Sequence, residues 1–285
     1  MMRFLGTGAA DVIPCPLCSC PLCEDARRDP SRGRFRSMFL LDDENLIDCG
    51  PEFAAAGIRF GLSFEKLKNV YITHTHEDHL DLSNAGFVRN SRTRSDVPVE
   101  VYLSEAGYDY VMTMFEAAKD RFPSLEGVRG ILQDRIHLHA VRAGTAFSAG
   151  GYSILPVNTT HRVSPQETAL NYRFEKDGWS LLYACDTGMY LPESLELLEN
   201  SHLDCLILEG TWGSRTDKST ATHMNAYSFL EQLEIFSARG IIDAHTAVYL
   251  SHVNHMHTWT HEQYQAFMDE HAGRKVTVAY DGLEI

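Results

Sequence analysis

The 285-residue sequence contains no run of about 18 apolar residues, the length a helix needs to cross a bilayer. Its start, MMRFLGTGAADV, lacks a basic segment followed by a long apolar one, so no secretory leader is expected. Positive charge is scarce. Lys and Arg number 25 against 39 Asp and Glu, a formal charge of −14. Such a surface repels nucleic-acid backbones and anionic membranes unless a basic patch or bound cations reverse the field locally. A long basic segment that could grip RNA or DNA is also missing. No repeat, low-complexity linker or composition shift marks a boundary, so residues 1–285 read as a single domain. These absences predict a cytoplasmic protein with no membrane partner and no long nucleic-acid partner. A homodimer is compatible with them.

What the sequence has instead is histidine and clustered cysteine. The stretch YITHTHEDHLDL places His74, His76, Asp78 and His79 within six residues, directly after the apolar NVYI. Ordinary solvated loops do not need three histidines in that space, and neutral imidazole is a common metal ligand. A loop at a strand end is free of helix and sheet periodicity, so it can aim several side chains into one cavity. His74 and His76 share a parity and can grip one ion, while Asp78 and His79 lie further round the turn and can grip a second. Imidazole with carboxylate suits Zn²⁺, and also Mn²⁺ or Fe²⁺.

Short β-rich segments at 2–8, 37–43, 45–50, 69–74, 97–103, 135–141, 152–158, 169–175, 180–186, 203–210, 247–252 and 275–281 are expected as strands. Helical patterns cover 80–92, 104–121, 192–200, 223–239 and 260–271. DGW at 177–179 predicts a hairpin turn. Two sheets back to back, each covered by helices, would accommodate this series. Three further donors follow apolar segments: His161 in ILPVNTTHRV, Asp186 in SLLYACDTG and His252 in AVYLSHVNH. A carboxylate can bridge two cations, and Asp186 is the natural candidate. His161 or His252 alone would be unremarkable; the joint pattern carries the signal.

HTHEDH followed by His161, Asp186 and His252 resembles the metallo-β-lactamase superfamily in order and rough spacing along nearly the whole chain, and NLIDCGPEF resembles its early Asp-x-Gly strand end. The resemblance implies an α/β fold, a four-layer αββα sandwich of two mixed β-sheets flanked by helices. It also implies a dinuclear site: one ion on His74, His76 and His161, the other on Asp78, His79 and His252, with Asp186 bridging. The sequence departs from the pattern at Leu82, where many members carry glycine. Leu82 is expected to reshape the helix start but removes no ligand.

CPLCSCPLC supplies Cys15, Cys18, Cys20 and Cys23, spaced for a closed tetrahedral zinc. Either all four bind, or Cys18, Cys20 and Cys23 bind with a distant fourth ligand. A redox or disulfide cluster is the alternative, less expected without a secretory leader. GTGAADVIPCPLCSCPLCEDARR resembles the start of the phosphodiesterases of the carbon–phosphorus lyase pathway. That resemblance implies a structural zinc in the N-terminal loop at about 15–23, held by Cys18, Cys20, Cys23 and His255, with Cys15 as an extra thiol.

Two close cations lower the pKa of a water between them and stabilise both oxygens of an in-line displacement. The expected activity is therefore metal-dependent hydrolysis of a small cyclic or nucleotide-like phosphodiester, with Asp78 or Asp186 accepting the proton. The resemblance places a non-ligand histidine near His223, over the reaction centre, where it could protonate a leaving alkoxide; helix-start capping or plain exposure is the alternative. Asp48 and Glu209 could hold ligand imidazoles through their free N–H groups, although Glu209 reads better as an ordinary strand-end acid. His137 and His139 are expected at the surface, and Cys49, Cys185 and Cys205 as buried strand thiols. The substrate pocket is expected to draw on 80–130. Two other readings compete: a lactonase or thioesterase acting at a carbon ester, and a non-catalytic protein of cofactor biosynthesis.

Overall fold

A computed structural model describes residues 1–93, 97–121, 134–199, 201–256 and 259–285. Two mixed sheets lie face to face. β1 (Arg3–Gly6) leads through α1 (Pro21–Arg28), in the cysteine loop, to β2 (Met38–Asp42) and β3 (Asn45–Ile47), and these three strands pair antiparallel. β4 (Asn69–Tyr71), β5 (Val99–Ser104) and β6 (Ile136–Val141) then add in parallel. Parallel neighbours require crossovers. These include α2 (Phe53–Phe60), α3 (Ala85–Asn90) and α4 (Glu105–Arg121).

The second sheet repeats the plan. β7 (Phe147–Ala149), β8 (Tyr152–Arg162), β9 (Thr168–Lys176) and β10 (Trp179–Ala184) form an antiparallel meander. β11 (Cys205–Glu209), β12 (Ala247–Ser251) and β13 (Val276–Val278) follow in parallel. Their crossovers include α5 (Pro192–Leu198), α6 (Ala226–Ala238) and α7 (His261–His271). Apolar side chains fall into three clusters. The middle one, with Phe4, Phe39, Tyr172, Phe174, Tyr183 and Ile207, joins the sheets. The outer two glue helices to each sheet, through Leu46, Val70 and Val111 on one side and Leu206, Phe229 and Phe236 on the other. The result is the expected four-layer αββα sandwich. A sheet covered on both faces explains why strands such as CLILE (205–209) run apolar without alternation.

The hairpin at Asp177–Gly178 is present. Both residues have positive φ, 53° and 79°, as a two-residue turn between twisted strands demands. Other boundaries moved. β8 runs on to Arg162, so His161 lies within a strand rather than after one. The helix expected from residue 80 starts at Ala85, behind a short 3₁₀ turn at Leu82–Asn84. The preceding residues are tied instead to Cys49, whose N–H donates to the His79 carbonyl and whose carbonyl accepts from Asp81. The helix expected from 223 starts at Ala226, because the Asn225 side chain accepts from the N–H groups of Tyr227 and Ser228. That cap overturns helix capping as the role of His223. Three elements were not anticipated: α1, α2 and the three-residue β7. His257 lies outside the described residues, as does part of the 80–130 segment.

Candidate metal centre

The parallel strands carry their successor loops to one rim of the sandwich, and the seven expected donors meet there. His74, His76 and His161 form one group, His74, Asp78 and His79 a second, and His79, Asp186 and His252 a third; within each, the donor atoms lie within 4.8 Å of one another. His76 Nδ1 is 2.9 Å from His74 Nε2 and 3.3 Å from His161 Nε2. Asp186 faces both sides: Oδ2 is 2.9 Å from His79 Nε2 and from His252 Nε2, and Oδ1 is 3.9 Å from His161 Nε2.

The approaches of Asp186 Oδ2 to His79 and His252 are not hydrogen bonds. His79 Nε2, His252 Nε2 and Asp186 Oδ2 are buried and have no hydrogen-bond partner. Leaving buried polar atoms unpaired is costly, and atoms aimed at one point at such separations are what a shared cation leaves behind. Charge supports the same reading. Asp48, Asp78 and Asp186 are buried carboxylates around His79, and a bound cation would balance them. Burial, reinforced by the neighbouring His79, holds His74 well below the ordinary histidine pKa, which keeps it the neutral imidazole a metal requires. The residues present therefore fit a divalent pair.

A second layer orients the imidazoles. Fully buried Asp48 accepts from His79 Nδ1 at 2.7 Å and from the Thr73 N–H and hydroxyl at 2.8 and 3.0 Å. Thr73 Oγ1 also reaches His74 Nδ1 at 3.1 Å. On the far side Thr211 Oγ1 lies 2.7 Å from His252 Nδ1 and donates to Glu209 at 2.5 Å. Glu209, read from sequence as a strand-end acid, instead anchors the site. It also contacts His223 Nδ1 at 2.9 Å and accepts the N–H groups of Thr187 and Met224. Glu167 was missed altogether: its buried carboxylate accepts the Thr75 N–H at 3.1 Å and the Thr75 hydroxyl, pinning the ligand loop from outside. Nothing in SPQETA distinguishes it from a surface acid; the threonines beside His74 and Glu209 were the readable clue.

His223 stands over the centre, its Nδ1 3.8 Å from Asp186 Oδ1. Its ring centroid is 4.7 Å from that of His161 and 5.6 Å from that of His252. A cavity of about 500 Å³ opens beside the site, lined by His76, Glu77, Leu80, Leu82, Tyr110 and Gln166 among others. Leu80, Leu82 and Tyr110 come from the expected segment; the 163–167 turn does not. A separate apolar cavity of about 250 Å³ between the first sheet and its helices contains none of the seven donors.

The cysteine loop also closes. Cys18, Cys20, Cys23 and His255 bring their donors within 4.8 Å of one another, with Cys20 Sγ 3.7 Å from His255 Nδ1. Backbone N–H groups of Cys15 and Cys20 point at the sulfurs of Cys23 and Cys18, at 3.3 and 3.4 Å. The other His255 nitrogen faces Asp11 at 3.5 Å, the carboxylate–histidine arrangement common behind metal ligands. Cys49, Cys185 and Cys205 are buried, and the part-exposed His137 and His139 lie on β6.

Residues 45–258 match the family model described as the beta-lactamase superfamily domain. The chain belongs to that superfamily. Among solved structures it is similar to a diphosphatase of the PhnP family, with 24% identity, a TM-score of 0.73 and coverage of 100% of this chain and 96% of that one. It is also similar to Zn²⁺-bound PqqB from Methylobacterium extorquens, at 18% identity, TM-score 0.69 and coverage of 99% and 98%. The short form of human tRNase Z is similar at 18% identity, TM-score 0.65 and coverage of 99% and 97%. At these identities the likeness is one of fold. No curated protein sequence matches the chain.

Proposed function

We propose that residues 1–285 act as one domain that hydrolyses a small cyclic or nucleotide-like phosphodiester. The observation that carries this reading is the two-faced Asp186, with one oxygen toward each donor group. His74, His76 and His161 would hold one ion, Asp78, His79 and His252 the other, and Asp186 both. Zn²⁺ and Mn²⁺ suit this donor set, and Fe²⁺ is compatible with it. A pair of divalent ions there would supply an activated water and neutralise charge on the phosphoryl oxygens.

The chain's own groups do the rest. Asp78 would accept a proton from the attacking water. His223, hydrogen-bonded to Glu209, would donate one to the departing alkoxide. The adjoining cavity has the size of a small-molecule site, which favours a compact substrate over a polymer. Cys18, Cys20, Cys23 and His255 would hold a structural Zn²⁺.

The test is a substrate panel with added Mn²⁺ or Zn²⁺: bis(p-nitrophenyl) phosphate, cyclic nucleotides, a diphosphate and lactones. We expect diester cleavage that is lost on chelation and restored by metal. Cleavage of the diphosphate alone would move the substrate to the class named for the PhnP-family neighbour. Turnover confined to lactones would overturn attack at phosphorus, and full metal loading without any turnover would favour a cofactor-handling role.

A further inference from the structure

A third set of metal-type donors lies away from both sites. In the β5–β6 pair Glu100 stands opposite His137 and Tyr102 opposite His139. Strand side chains alternate, so all four point to one face. Glu100 pairs with Asn69, where β4 begins, whereas the His74 loop follows the end of β4. The cluster is therefore at the opposite end of the sheet from the candidate metal centre.

One carboxylate meets both imidazoles. Glu100 Oε1 is 2.9 Å from His137 Nδ1, and Oε2 is 2.5 Å from His139 Nε2. Donors about 2.0–2.2 Å from one tetrahedral Zn²⁺ lie roughly 3.3–3.6 Å from each other, so the carboxylate would draw back from both rings to admit an ion. At the candidate metal centre, the same 2.9 Å separates Asp186 from His79 and from His252. The His139 ring is also held in place, stacked on Tyr102 at 4.8 Å and 16°. Tyr102 in turn stacks on Phe147 and on buried Tyr71. All three donor side chains are part-exposed, leaving room for an ion to enter and for water to complete its shell.

We infer that Glu100, His137 and His139 form a further divalent-cation site on the edge of the first sheet, selective for Zn²⁺-like ions. Two imidazoles with one carboxylate suit borderline ions of that class better than Mg²⁺ or Ca²⁺. A bound ion would clamp β6, an edge strand of the sheet, to β5. The inference is independent of which ester the enzyme cleaves.

Full-length protein is stripped with EDTA and dialysed against buffered free zinc, and its metal is counted for wild type, His139→Ala and Glu100→Gln. Each variant should hold one zinc fewer per chain, with an unchanged unfolding midpoint in EDTA. Equal counts would show only two imidazoles donating to a carboxylate, and the site falls. Should a variant misfold, crystals of the unaltered chain grown with Zn²⁺ decide the matter. An anomalous peak about 2.0–2.2 Å from the three donors supports the site. No peak there, at a zinc concentration that fills the candidate metal centre, overturns it.

Discussion

Glu209 is fully buried, yet its carboxylate is saturated by N–H and O–H groups from Thr187, Thr211, His223 and Met224. Its effect on His223 outweighs desolvation: burial pulls that imidazole's pKa down, but Glu209 and then Asp186 raise it to about 9. In the metal-free protein the sign is clear. A folded pKa above the unfolded value of about 6.5 gives stability that is complete below pH 6.5 and lost as pH rises towards 9. Denaturant unfolding of EDTA-treated protein should show that decline, and His223→Asn should flatten it. In the loaded enzyme the same variant should lower kcat by about 10²–10⁴-fold. The deficit should shrink for a p-nitrophenyl leaving group, which needs no proton, while metal content holds. Equal loss for good and poor leaving groups would remove His223 as the acid. Three residues of the site also bear backbone strain: Asp48, Asp186 and His252 have φ of 61°, 52° and 58°. Non-glycine residues there cost about 1–3 kcal/mol each. The strand-end turns that aim these side chains inward are held by the hydrogen bonds around them.

At the scale of elements, the ligand loop rests against a neighbouring strand end. Gly50, two residues after Asp48, passes so close to residue 78 that an added Cβ would lie 2.3 Å from the Asp78 carbonyl oxygen. That contact is with backbone and cannot be relieved by a side-chain rotation. Gly50→Ala should therefore push the 74–79 loop outward and cost about 1–3 kcal/mol in denaturant unfolding. Isothermal titration with Zn²⁺ should show weakened binding at the centre. Wild-type affinity in a stably folded Gly50→Ala protein would mean that the loop is set by something other than this contact. The helix starts on either side of the site were misplaced from sequence for a related reason. Periodicity ran through Leu80 and His223, but Cys49 captures the first segment and the Asn225 cap cuts off the second. Hydrophobic pattern shows which faces are buried; caps and bridges decide where an element begins.

For the molecule as a whole, the cysteine loop links the two ends of the chain's chemistry. Val253, next to His252, exchanges backbone hydrogen bonds with Thr7 and Ala9, and His255 reaches the cysteines. A zinc on Cys18, Cys20, Cys23 and His255 would fasten the N-terminal loop to the loop carrying His252. Cys20→Ser should remove one zinc by elemental analysis and lower the thermal midpoint. The variant should still bind two ions at the centre, because none of the seven donors is touched. Loss of the central pair as well would show that the loop builds the centre rather than bracing it.

Residue chemistry alone determined most of the donor set. Few side chains can bind a cation, and three histidines in six residues have little other use, so His74, His76, Asp78 and His79 were legible before any fold was known. The four layers followed from apolar strands alternating with helical patterns. Tertiary structure decided what spacing cannot encode: that Asp186 faces both donor groups, that Glu209 and Glu167 are anchors rather than surface acids, and that Glu100 meets two histidines across a strand pair. Those facts depend on register and on loop ends brought together from distant positions. A carboxylate's role comes from its surroundings, and only the folded chain supplies them.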